Sequence, residues 1–91
     1  MLNLGNKLIK IHSVSDSDFS LTLEFADGFI SSVSLEHIFN SPQGLAVEVL
    51  KGQMFSKCFI ECGALAWPNG LEFCADSIRI WIEDQKNTRA S

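Results

Sequence analysis

The chain has 91 residues, 46% of them hydrophobic and 20% charged, with a formal net charge of −4. That length sets a single domain with one core and modest stability, and the apolar content excludes disorder. Seven scattered Lys and Arg form no basic stripe, so direct nucleic-acid binding is excluded, and no apolar run approaches the roughly 20 residues of a membrane-spanning helix.

Residues 1–14 read MLNLGNKLIKIHSV, with lysines interrupting the apolar positions and no hydrophobic stretch of the kind a signal peptide needs. A cytoplasmic protein without membrane contact is expected. Residues 1–6 are a lead-in, residues 7–84 a single α+β domain, and residues 85–91 a frayed polar tail.

Residues 7–14 form the first expected strand, with Ile9 and Ile11 on one face and Lys10 and His12 on the other. The SDSD cluster at 15–18 is a turn. It lacks the Gly and distal Glu of a calcium loop. Residues 19–25, FSLTLEF, alternate cleanly, with Phe19, Leu21, Leu23 and Phe25 on the core face.

Asp27-Gly28 marks a hairpin, and its loop length sets the register. A two-residue turn would place Ser32 and Ser34 on the core face. A three-residue loop, Ala26-Asp27-Gly28 with Gly28 left-handed, pairs Phe25 with Phe29, Leu23 with Ser31 and Leu21 with Val33. The second keeps the apolar residues together and is preferred. Ile30 then points to the opposite face, which implies that this face is partly covered as well.

Ser34 can cap a short helical turn carrying Leu35, Ile38 and Phe39, which Pro42 and Gly44 end. Residues 45–51 fit a helix or a strand. Met54 and Phe55 plug the core from a short turn. Residues 58–62, CFIEC, are an apolar and therefore central strand, and residues 64–67 a further strand ending at Trp67-Pro68-Asn69-Gly70. In residues 75–84, Ile78, Trp81 and Ile82 make a helical stripe, yet Ile78, Ile80 and Ile82 also alternate as a strand would.

This order of pieces resembles the bacterial domain of unknown function family 2442. The residues that carry the resemblance are Leu21, Leu23, Phe25, Asp27, Gly28, Val33 and Leu35, then Leu50, Phe55, Trp67, Asn69, Gly70, Glu72 and Ile78. Where the family carries Asp, Pro and a Leu-Tyr pair after the NG turn, this chain has Glu72, Ala75 and Ile78-Arg79. The resemblance implies a small α+β fold: a mostly antiparallel sheet of four to five strands with short helices and a C-terminal helix over 75–84. It implies no known activity. Some relatives carry a helix-turn-helix after this domain, so DNA contact here would come through a partner.

No catalytic constellation stands out. His12 and His37 have no nucleophile motif near them, and the dispersed glycines form no phosphate loop. Cys58, Cys62 and Cys74 lack paired metal-ligand spacing. On a strand, Cys58 and Cys62 lie about 13 Å apart, too far for a disulfide, so three mostly buried, reduced thiols are expected. No metal or cofactor is expected.

The candidate interaction or turn residues are Trp67, Asn69, Gly70, Glu72, Ile80 and Trp81. Trp67 anchors a strand end, while Trp81 suits core and interface equally. On a helix, Ile80 is stranded beside Trp81, away from the Ile78/Ile82 stripe, which favours contact with another subunit or partner. The function expected is a non-enzymatic protein-interaction module, as a homodimer or with a protein partner. The alternatives are an antitoxin-like or transcription-regulatory accessory subunit and, last, a small-ligand binder at the Trp67–Glu72 turn.

Overall fold

A computed structural model describes residues 6–89. Strands β1 (Leu8–Ser15), β2 (Ser20–Phe25) and β3 (Ile30–Ser34) form an antiparallel sheet in that order. The β2–β3 hairpin has the three-residue loop. The Phe25 amide donates to the Phe29 carbonyl at 2.8 Å, and Gly28, at φ 92°, donates to the Phe25 carbonyl at 2.9 Å. Leu23 pairs with Ser31 and Leu21 with Val33, which buries Leu21, Leu23, Phe25 and Val33 together. The opposite face is not covered at its β3 end, because Ile30 is 52% exposed.

Strand β1 departs from simple alternation. Register shifts at Leu8/Lys10 and Ile11/Ser13 leave Ile9 and His12 as extra residues. Each bulge returns the next apolar residue to the core side. Leu8, Ile11 and Val14, three apart, therefore pack on the core, whereas Ile9 is exposed. The expected sharing of a face by Ile9 and Ile11 is corrected accordingly. Phe19 also lies outside β2: its φ of 56° is left-handed, a strained state for an aromatic residue. Its ring, 5.3 Å from both Phe39 and Phe55, holds it there.

The remaining strands, β4 (Phe59–Glu61), β5 (Ala64–Ala66) and β6 (Glu72–Phe73), make a second antiparallel sheet in the order β4-β5-β6. The architecture is α+β with two three-stranded sheets, in place of one sheet of four to five strands. Bulges bend and twist the strand that carries them, and the start of β1 reaches the second sheet through the Leu8 amide, which donates to the Gly63 carbonyl at 2.9 Å. The segment expected to be central, β4, is an edge with Phe59 and Glu61 exposed, and β5 is central.

Helix α1 (Glu36–Phe39) follows Ser34, whose hydroxyl accepts from the Glu36 amide at 3.2 Å. Residues 45–51 resolve as helix α2 (Leu45–Lys51), which buries Ala46 and Val49. A 3₁₀ turn at Phe55–Lys57 inserts Phe55 into the core. Helix α3 (Ala75–Arg89) runs across the core, burying Ala75, Ile78 and Ile82. Its first turn is tied to the chain start: the Asn6 amide and side chain both donate to Asp76 at 2.9 Å. These bonds, the backbone one foremost, hold the Asp76 carboxyl below its ordinary range. No helix among the described residues is long and apolar enough to cross a membrane.

Helix α3 continues past residue 84, where a frayed tail was expected, and Gln85 gives the reason. Its side-chain carbonyl accepts from the Ser34 amide at 3.0 Å, and its NH₂ donates to the Ser34 carbonyl at 2.8 Å. One carboxamide thus satisfies both backbone groups of the last β3 residue. Gln85→Ala is expected to lower stability by about 1–2 kcal/mol in urea unfolding, since both groups lose their partner. Gln85→Glu keeps the acceptor but loses the donor, so it should fall between the two. Wild-type stability in Gln85→Ala would show that the clamp contributes nothing.

Candidate functional site

The Trp67–Glu72 turn is a folded corner. Trp67 is 1% exposed, and its indole N–H donates to the Phe55 carbonyl at 2.9 Å. Its ring lies 5.7–5.9 Å from Phe39, Phe55 and Phe73. Gly70 takes φ 98° and donates to the Trp67 carbonyl at 3.0 Å. Asn69 closes the turn from both ends of its amide, accepting from the Leu71 amide at 3.2 Å and donating to the Leu45 carbonyl at 3.0 Å. Glu72 is exposed on β6, and the residue that would have to face a ligand beside it, Trp67, is sealed inside.

Ile80 and Trp81 part company. Trp81 is half-buried, with edge contacts to Phe73 at 5.4 Å and to His37 at 4.7 Å, at the end of an aromatic chain that begins at Phe19. Ile80 is 59% exposed on the far side of α3, ringed in sequence by the exposed Asp76, Glu83 and Asp84.

The cysteines are free but mostly not buried: Cys58 is half-buried, and Cys62 and Cys74 are exposed. Turn and strand-end positions put them at the surface, correcting the expected buried set. Burial pushes the Cys58 thiol up to about 11. The Ser77 hydroxyl, 3.2 Å from Cys74 Sγ, draws that thiol below its ordinary value. At pH 7.5, iodoacetamide should label Cys58 much more slowly than Cys74, because burial suppresses the Cys58 thiolate while the Ser77 hydroxyl favours that of Cys74. Peptide mapping by mass spectrometry reads the order, and equal rates would show that Cys58 is not shielded. Among the described residues, no three His, Cys, Asp or Glu side chains stand close enough to share a metal ion.

Nothing in the residue pattern marks the outer edge of β3, which pairs with β2 on one side only. Residues 30–34 read ISSVS, without charge or proline. In an antiparallel ladder alternate residues bond inward and outward. The bonds from Phe25 to Phe29 and from Leu35 to Phe19 put the odd-numbered residues on the β2 side. Ile30, Ser32 and Ser34 therefore turn their amides outward. Gln85 takes both groups of Ser34, while the Ser32 carbonyl meets the Ser31 hydroxyl at 3.3 Å. The amides of Ile30 and Ser32 have no partner among the described residues.

Beside this edge lies a groove of about 680 Å³, floored by β3 and walled by the last turns of α3. Asp18, Glu36 and Asp84 line it, opposed by Lys86. The Ser20 hydroxyl donates to Asp18 at 2.7 Å and is the main cause holding that carboxyl below its ordinary range. Lys86 is drawn to one end, its ammonium 4.8 Å from the Phe29 ring centre. Comparison with protein-family models, curated proteins and solved structures finds no match to this chain.

Proposed function

We propose that this chain is a non-enzymatic protein-interaction module that receives an extended segment of another protein along the edge of β3. The observation that supports this most directly is the uncharged, bulge-free edge itself, with outward amides at Ile30 and Ser32 and a groove alongside. Sheet edges of this kind are templates for strand addition unless charge, proline or a covering element blocks them. At Ser34 the Gln85 carboxamide already makes the donor–acceptor pair that an added strand would make, which marks the end of the available edge.

Photocrosslinking tests this reading in the cell. A benzophenone side chain placed at position 30 should yield discrete covalent adducts. The same group at position 72, on the closed turn, or at position 80, on the charged face of α3, should not. An adduct of twice the chain mass would identify a second copy as the occupant. Absence of adducts from position 30, or equal yields from all three positions, would overturn the assignment of the edge.

A further inference from the structure

We infer that the segment received at the β3 edge is an extended, basic peptide, one carrying Lys or Arg to meet the carboxylates that line the groove. This deepens the reading of β3 as an interaction edge and rests on it. Two independent features select the occupant. The first is backbone: the outward groups at Ile30 and Ser32 ask for a chain in β conformation, and a proline or a folded helix cannot supply the matching donors and acceptors. The second is charge. Three carboxylates, Asp18, Glu36 and Asp84, line the groove against one ammonium, Lys86, whose head lies over Phe29. His37 is the other titratable side chain on the groove wall, and its ring packs edge-on against Trp81.

A second copy fits this groove less well than a basic partner. Each copy has a net charge of −4, and its own β3 would bring Ser and Ile side chains with no cation to meet the three carboxylates. Complementary charge raises association rate and fixes register, and its effect weakens with salt. The backbone ladder supplies affinity that salt does not remove. The two contributions can therefore be separated by experiment.

A random dodecapeptide library displayed on phage, selected against the full chain, is the probe. Recovered peptides should be enriched in Lys and Arg at alternate positions and poor in Pro at their centres. Synthetic versions should bind at least ~tenfold more weakly to Ser32→Pro and to the Glu36→Lys/Asp84→Lys double variant, measured by fluorescence anisotropy. Ser32 makes no backbone ladder bond to β2, so Ser32→Pro removes the outward N–H and the hydroxyl's 2.9 Å bond to Thr22 while leaving the backbone pairing of the hairpin in place. Circular dichroism checks that fold, and the charge-reversal variant is a second arm should proline disturb it. Peptides that bind Ser32→Pro as well as wild type would overturn the inference, as would a selected pool with no excess of basic residues. A neutral or acidic pool that still fails on Ser32→Pro would overturn the basic partner and leave the interaction edge standing. An empty selection overturns the inference, while the crosslinks from position 30 judge the edge separately.

Discussion

Trp67→Ala is expected to cost about 3–5 kcal/mol, the range for removing a buried aromatic side chain. A domain of this size has on the order of 5–13 kcal/mol in total, so the variant should be marginal or unfolded at 37 °C. Two separate losses make up the effect. Deleting the indole empties the space between Phe39, Phe55 and Phe73, whose ring centres lie 5.7–5.9 Å from it. It also strips the N–H that satisfies the Phe55 carbonyl at 2.9 Å, inside the core.

Trp67→Phe separates these losses. It keeps an aromatic ring in the cavity but leaves the Phe55 carbonyl without its donor, a penalty of about 1–3 kcal/mol. The expected order of stability in urea unfolding is wild type, Trp67→Phe, Trp67→Ala. Far-ultraviolet circular dichroism is the right probe, because both variants lose one of the two tryptophans and so change the fluorescence signal itself. In thermal unfolding, a Trp67→Ala midpoint within a few degrees of wild type would contradict the burial described, since 1 kcal/mol shifts the thermal midpoint of such a domain by about 4–8 °C.

The parts of the fold that were legible in the sequence are those fixed by local chemistry. Asp27-Gly28 and the alternation from Leu21 to Phe25 together determine one hairpin register, and the observed pairing is that register. Asn69-Gly70 determines a turn, and Trp67 beside it becomes the core anchor. β1 was not legible because its bulges replace a period of two with a spacing of three. Nothing in LIKIHSVS marks Ile9 or His12 as the extra residue. β4 reads as central because it is apolar, yet topology makes it an edge.

The candidate site was harder still to anticipate. Unusual residues drew attention to the Trp67–Glu72 turn, but those residues are satisfied by one another and by Leu45 and Phe55. The open edge consists of ordinary residues, ISSVS, and whether a strand lacks a neighbour is decided by the whole chain. Gln85 was hidden for the same reason: in a polar tail it resembles solvent-facing sequence. Its partner Ser34 is 51 residues away.

The isoleucines of α3 supply the second large effect. Ile82→Ala should cost about 2–5 kcal/mol, as for other buried Ile-to-Ala changes. Ile80→Ala should stay within about 0.5 kcal/mol of wild type. A strand over these residues would put Ile78, Ile80 and Ile82 on one face and make the two substitutions equally harmful. The helix instead leaves Ile82 1% exposed and Ile80 59% exposed. Alanine also has the higher helix propensity, so Ile80→Ala can even stabilise an isolated chain slightly. The comparison has a further use. If Ile80 were buried against a second subunit, its replacement would lower the mass seen by light scattering, and the loss of stability would depend on protein concentration. Small, concentration-independent changes at Ile80 beside a large loss at Ile82 would place the exposed face of α3 outside any subunit interface.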